Sequence, residues 1–494
     1  MSGGPRTTDH LRLLAVEEAE APTDAPDVVA APRAWIRRRT PWLVAATVLA
    51  VLALVGAQAA LDLRDRHRLA DLAAVPGVLQ PLPERVHAVW RWTPVTSASL
   101  VAGDTASRWA IGARYQQGVV ELRGTDPDTG AVLWTTPFPI DDALPVEDRG
   151  GFPSVWVRCA TVSPAPRAQT VCGADLAGPG EVVGVPLLVL DPTDGAVLAR
   201  QVLTAGSLWT VDGGHLLVAR PVADDVTRTH WEVRATDPAT GAGVWDSSTR
   251  PVRLTGPVRV GGVTIDPEAA LTNDGDRILL AAGGHAWLWS PDGTGHRDVQ
   301  ISPEGVTRLG RGGTLVWTPF QSLGLSVGVL VTDGGRQVPI DGVQAELTID
   351  DGSAPGVVLL RTRAEGAALV ARDAGTGREL WRAGGSVGPV IVLDGSVVAA
   401  GPSAVVARDA RTGEVRWRTR LDAEPVYLGA DPRHVVVLTG DEKLRVLDLG
   451  DGHVAGTADV GALFGADPGD LDHAEEVGGR LLVMFRSGSA MAIG

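Results

Sequence analysis

The sequence predicts an all-β propeller, most simply of eight blades, preceded by a single transmembrane helix. Three observations predict it. A turn-and-strand unit recurs from Asp126 onward, short β-rich apolar runs lie between its copies, and twenty residues near the start carry no charge. With 44 % apolar residues in 494, the chain can bury a large core and is neither disordered nor collagen-like. Its 61 Gly and 34 Pro fit a fold rich in tight turns.

Residues 1–41 read as a disordered cytoplasmic tail, in which six Arg and six acids cancel and Pro22, Pro26 and Pro32 interrupt any period. Only His10 to Glu20 has the spacing of a short helix. From Trp42 to Leu61 the only polar side chains are Thr47 and Gln58. At 1.5 Å per residue the run spans about 30 Å, the thickness of a bilayer's hydrocarbon core. Arg33, Arg37, Arg38 and Arg39 precede it, against Arg64, Arg66 and Arg68 after it, and Trp42 takes an interfacial position. Basic residues collect on the cytoplasmic side, so the expected orientation is N-terminus in and C-terminus out. Ala57-Gln58-Ala59 has the form that a signal peptidase reads, but the long region before the apolar run favours an uncleaved anchor. Either way, the residues that follow are expected outside the cytoplasm, at the cell membrane. Residues 62–84 read as a charged juxtamembrane helix and linker, stopped by Pro76, Pro81 and Pro83. Residues 85–494 form the predicted extracytoplasmic propeller.

The repeat carries that prediction. Asp126, Gly130 and Trp134 recur as Asp237, Gly241 and Trp245, as Asp373, Gly377 and Trp381, and as Asp409, Gly413 and Trp417. Weaker copies begin at 191, 290, 333 and 448. An Asp carboxylate can accept from amides two residues on and close a turn, and Gly supplies the positive φ that reverses the chain. The strand that follows presents Trp, broad enough to cover the gap between neighbouring sheets. Three or four short strands per repeat, arranged radially, describe propeller blades. Eight turn signals give eight blades. Arg480 to Phe485 and Ser489 to Ile493 add two strands whose sheet Val89 to Thr93 could complete. A literal count then reaches nine unless a weak unit between 140 and 340 is not a full blade. Eight is expected, with seven or nine as the alternatives.

The pattern Ala-x-Asp-x-x-Thr-Gly-x-x-x-Trp, at Ala371 to Trp381 and Ala407 to Trp417, resembles the tryptophan-docking repeat of the pyrroloquinoline quinone (PQQ)-like propellers. That superfamily holds quinoprotein alcohol dehydrogenases and a non-catalytic branch that includes the lipoprotein of the bacterial outer-membrane barrel-assembly machine. The resemblance implies the fold for residues 85–494 and leaves both branches open. A dehydrogenase of this kind would use PQQ with Ca²⁺, a carboxamide among the metal ligands and commonly adjacent cysteines. Cys159 and Cys172 are not adjacent, and Asn273 is the single Asn. The expectation is therefore the non-catalytic branch, with no cofactor, no metal and no catalytic residue. The lipid attachment of the barrel-assembly lipoprotein is not expected, because neither cysteine follows a hydrophobic leader.

Outside the cytoplasm Cys159 and Cys172 are expected to form a disulfide across a hairpin. Matches to Gly-x-Ser-x-Gly at Gly324 to Gly328 and Gly384 to Gly388 lack the following helix of a nucleophile elbow. The carboxylates from Asp467 to Glu476 lack EF-hand spacing. A net charge of −15, placed entirely beyond residue 61, argues against nucleic acid as a partner. The expected function is a membrane-anchored protein- or ligand-binding scaffold with a protein partner. A PQQ-dependent oxidoreductase, or a ligand sensor signalling through residues 1–41, is the alternative. Arg supplies all but one of the 44 basic residues, which suggests a GC-rich bacterial, actinobacterial gene.

Overall fold

A computed structural model describes residues 30–494 apart from 84, 93–109, 117–118, 140–153, 163–167, 178–183, 226, 254–257, 261–262, 266–268, 303–304, 311–312, 320–326, 363–366, 386–387, 466–468 and 488. Most of the expected tail, including His10 to Glu20, lies outside the described residues, as do parts of both Gly-x-Ser-x-Gly matches and Asp467. The chain divides into two compact units, Met1–Arg68 and Leu69–Gly494.

One helix, Ala30–Ala73, carries the apolar run and continues through Leu61 without a break. Asp62 to Ala74 contains no helix breaker, and Pro76 is the first residue that stops it. The side chains of residues 42–44, 46 and 47 lie outside the described residues, and among the described residues no helix is long and apolar enough to cross a membrane. Val48, Leu49, Val51, Leu52, Leu54 and Val55 are all exposed on this helix.

In the second unit, nine blade sheets follow one another along the chain among the described residues. They are antiparallel except where Leu347–Asp350 adds to Val390–Leu393 in parallel, and a two-stranded hairpin of Val258–Val260 and Val263–Ile265 stands apart from them. Blades 1 to 8 span residues 110–138, 154–204, 208–248, 270–300, 305–341, 343–384, 390–420 and 425–459. Blade 9 combines Leu471–Val477, Arg480–Phe485 and Ala490–Ile493 with Ala88–Trp92. Nine blades correct the expected eight. The weak units at 191, 290 and 333 each join the third and fourth strands of a complete four-stranded sheet, because a blade needs four apolar strands and not a particular aromatic. Blade 1 shows three strands among the described residues.

Each blade is a meander, and the first strands of successive blades contact one another, Ser154–Val162 with Leu208–Asp212 and Leu208–Asp212 with Ala270–Asn273. These strands therefore surround the axis, while the last strand of each blade lies outermost. The blade faces pack through aliphatic side chains, as where Ile391, Val398 and Val405 of blade 7 meet Leu428, Val435 and Val437 of blade 8. The ring closes between distant parts of the sequence. Trp90 pairs with Ala492 and Trp92 with Ala490, so the strand before blade 1 is the outer strand of blade 9. Leu72 and Val78 enter the core between blades 7 and 8, and Leu79 that between blades 8 and 9, just ahead of the closing strand.

Candidate functional site

The repeat residues build contacts between blades. In blade 7, Gly413 N donates to Asp409 O at 2.9 Å, and Asp409 Oδ1 accepts from Arg411 N at 3.0 Å and Thr412 N at 2.9 Å. Asp126 likewise accepts two residues on, but Asp237 and Asp373 accept from the amide and hydroxyl of Thr240 and Thr376, three residues on. Each Trp then docks on the turn of the following blade. Nε1 of Trp134 donates to Pro192 O at 2.9 Å, that of Trp245 to Pro291 O at 2.9 Å, that of Trp381 to Ala410 O at 2.9 Å and that of Trp417 to Leu449 O at 3.0 Å. Trp90 repeats the contact across the closure, donating to Pro127 O at 2.8 Å. The turn glycine lies under the ring: a Cβ on Gly413 would stand 2.4 Å from Cγ of Trp381. These residues hold the ring together.

Blades without Trp at this position use other groups. Arg297 of blade 4 donates to Thr332 O at 2.9 Å on the blade 5 turn. Between blades 2 and 3, Arg158 lies 4.4 Å above the Trp209 ring and donates to its carbonyl. Cys159 and Cys172 are bonded to one another across the first two strands of blade 2, and both are buried against blade 1. The disulfide is a core staple, packed among the aliphatic side chains between blades 1 and 2.

A recess lies at the axis. A cavity of about 610 Å³ opens between the first strands of blades 4, 5 and 6, walled by Asn273, Asp274, Thr307, Arg308, Gln344 and Glu346. Much of that wall ties one blade to the next. Asn273 Nδ2 donates to Val211 O at 2.6 Å, Gln344 Nε2 donates to Leu309 O at 3.0 Å, and Arg308 meets Glu346 at 2.7 Å. The Arg308 hydrogen bond holds Glu346 below the usual carboxylate range. Asp274 and nearby Asp212 are both pushed upward, chiefly by the protein packed around them. Farther round the axis, burial and then the charges of Glu476 and Glu475 push up the phenol of Tyr427. Among the described residues no group of three or more His, Cys, Asp and Glu could hold a metal ion. The cavity is thus a mixed, net acidic recess, with Val306, Leu309 and Leu347 among the polar groups and several of its polar side chains serving the ring. Sequence reasoning missed it because its wall comes from three blades, and Asn273 looked like a turn residue.

A family model described as "Outer membrane protein assembly factor BamB" matches residues 365–493, from the third strand of blade 6 to the end of blade 9. The repeat there is of the PQQ-like type. No curated protein matches the chain. Among solved structures, BamB from Moraxella catarrhalis is 16 % identical, with 83 % of this chain and 97 % of that one covered and a TM-score of 0.39. A computationally designed protein, Ika8, is 14 % identical, covering 80 % and 98 %, with a TM-score of 0.39. Apo AztD from Citrobacter koseri is 17 % identical, covering 61 % and 86 %, with a TM-score of 0.34.

Proposed function

We propose that this chain is a membrane-anchored, extracytoplasmic propeller that works by binding another protein and catalyses no reaction. The observation that carries the reading is the apolar rim. Val132 and Leu133 of blade 1, Val197, Leu198 and Val202 of blade 2, Val244 of blade 3, Val415 of blade 7 and Val454 of blade 8 are all exposed on outermost strands. An outermost strand also offers unpaired backbone groups along its edge, so a partner can add apolar contact and ladder hydrogen bonds together. The match to an assembly-factor model supports the same reading for blades 6 to 9, since the printed role of that family concerns other proteins.

Anchoring is supported by the uncharged run at 42–61 and by the exposed apolar side chains from Val48 to Val55. The Arg-rich, Ala/Gly/Val-rich composition suggests a bacterial, actinobacterial cell surface. The test is photocrosslinking in the native membrane from probes placed at Leu133, Leu198 and Val244. Discrete protein adducts from the rim, absent from probes in the axial cavity, are expected. Adducts restricted to the cavity, or none from any rim position, would refute the scaffold reading. Release of the full chain from membranes by alkaline carbonate would refute anchoring.

A further inference from the structure

Blades 6 and 7 carry the same pair of arginines, and only blade 6 neutralises them. Across the last two strands of blade 6, Val370 faces Arg382 and Arg372 faces Glu379. Across those of blade 7, Val406 faces Arg418 and Arg408 faces Val415. Strand alternation puts Arg372 and Arg382, and likewise Arg408 and Arg418, on one face of their sheet as diagonal neighbours. Arg372 Nη1 donates to Gly377 O at 2.9 Å and Arg408 Nη1 to Gly413 O at 3.0 Å, so both are aimed by the same turn.

The equivalence ends at one position. Glu379 accepts from Arg382 through both oxygens, at 3.1 and 2.9 Å, and lies 3.8 Å from Arg372. Val415 stands in its place in blade 7, with an exposed side chain. Among the described residues neither Arg408 nor Arg418 has an ion-pair partner, and Glu414 makes none. Arg416, on the same strand, is held by Asp409 at 2.9 Å. Burial, and then the like charge of Arg418, lower the affinity of the Arg408 guanidinium for its proton, whereas the Glu379 hydrogen bond raises that of Arg382. Two cations are held together without the anion that their counterparts have. A cavity of about 80 Å³ opens beside them, lined also by Leu369, Gly385 and Ser403. That is two or three water volumes at roughly 30 Å³ each, room for a carboxylate head.

The structure assigns to blade 7 a carboxylate-binding site, in which Arg408 and Arg418 take from outside the group that Glu379 supplies within blade 6. The fork of a guanidinium suits a carboxylate, and an anion between the two relieves their repulsion. On the scaffold reading, on which this source rests, the carboxylate belongs to an acidic side chain or a chain end of the bound protein. A free small carboxylate shares the chemistry.

The test uses the full chain in detergent micelles, titrated with a fluorescently labelled tetraglutamate peptide and, separately, with acetate. Saturable binding of one equivalent of peptide is expected. Arg418→Gln and Val415→Glu should each weaken it at least tenfold, the second by filling the site from within. Glu379→Gln should raise the stoichiometry to two. Both 415 and 418 are exposed, and an unchanged melting temperature verifies that the variants fold. Peptide binding without acetate binding identifies a protein-borne carboxylate, and equal occupancy per carboxylate a free one. Undiminished binding in Val415→Glu, or no binding of either probe at millimolar concentration, overturns the assignment. Rim crosslinks that persist in that case leave the scaffold reading standing. Loss of the crosslinks with carboxylate binding intact would sink only the scaffold.

Discussion

Gly413 and Gly241 occupy the same place in two copies of the repeat, with φ of +74° and +70°, yet they should respond differently to alanine. A Cβ in the left-handed region costs about 1–2 kcal/mol, and both sites bear that cost. At Gly241 nothing lies within 4 Å of the added carbon. At Gly413 the carbon would sit 2.4 Å from Cγ and 2.6 Å from Cβ of Trp381. The indole must then lift, adding about 1–3 kcal/mol of overpacking strain and about 1 kcal/mol for its hydrogen bond to Ala410 O. Gly413→Ala should therefore cost about 4 kcal/mol and Gly241→Ala about 1–2 kcal/mol. Urea unfolding followed by tryptophan fluorescence measures both, provided the slope is unchanged. In a Trp381→Ala background the penalty at Gly413 should fall to the conformational cost alone. Equal losses at the two glycines, or an undiminished loss without Trp381, would refute the docking account.

The remaining predictions concern the staple, acid stability and ring closure. Reducing the Cys159–Cys172 bond, or Cys159→Ser, should remove about 3 kcal/mol, read as a fall in melting temperature with reductant that the serine variant no longer shows. Hydrogen bonds from the Thr412 backbone and then Arg416 hold Asp409 down to about 2, below its ordinary 3.8. Its contribution is thus present above about pH 4 and lost as pH falls through about 2, so urea midpoints between pH 7 and 2 should decline less steeply in Asp409→Asn. Trp90→Ala deletes a buried indole and its hydrogen bond to Pro127 O, a loss of about 3–5 kcal/mol. Amide exchange in Ala490–Ile493 should accelerate there while blades 3 to 5 keep their protection.

The fold was legible because its punctuation is local. Asp409, Thr412, Gly413 and Trp417 lie within nine residues, and each needs a particular residue type for a reason that holds wherever the turn occurs. The missing blade shows the limit of that reading. Blades 2, 4 and 5 have Ala199, Arg297 and Val338 paired where Trp would stand, so their signals are weak. Their strands pair as completely as the rest. Substitutes such as Arg297 have no fixed spacing to announce them. The axial cavity was illegible for a different reason: Asn273, Arg308 and Glu346 meet only because three blades converge. The arginines of blade 7 could have been found in sequence by aligning Glu379 with Val415, but their lack of an anion is a fact of three dimensions.

Closure by Ala88–Trp92 also dictates a timetable. Trp90 is made about four hundred residues before its partner Ala492, and the ninth sheet cannot exist until both have been made. Through the whole of that interval the early strand carries two indoles and an unsatisfied ladder, a template for wrong pairing. A ring sealed in this way makes the arrival of Ala490–Ile493 a precondition of closure, and a ribosome that stalls short of residue 490 releases eight blades with an open seam.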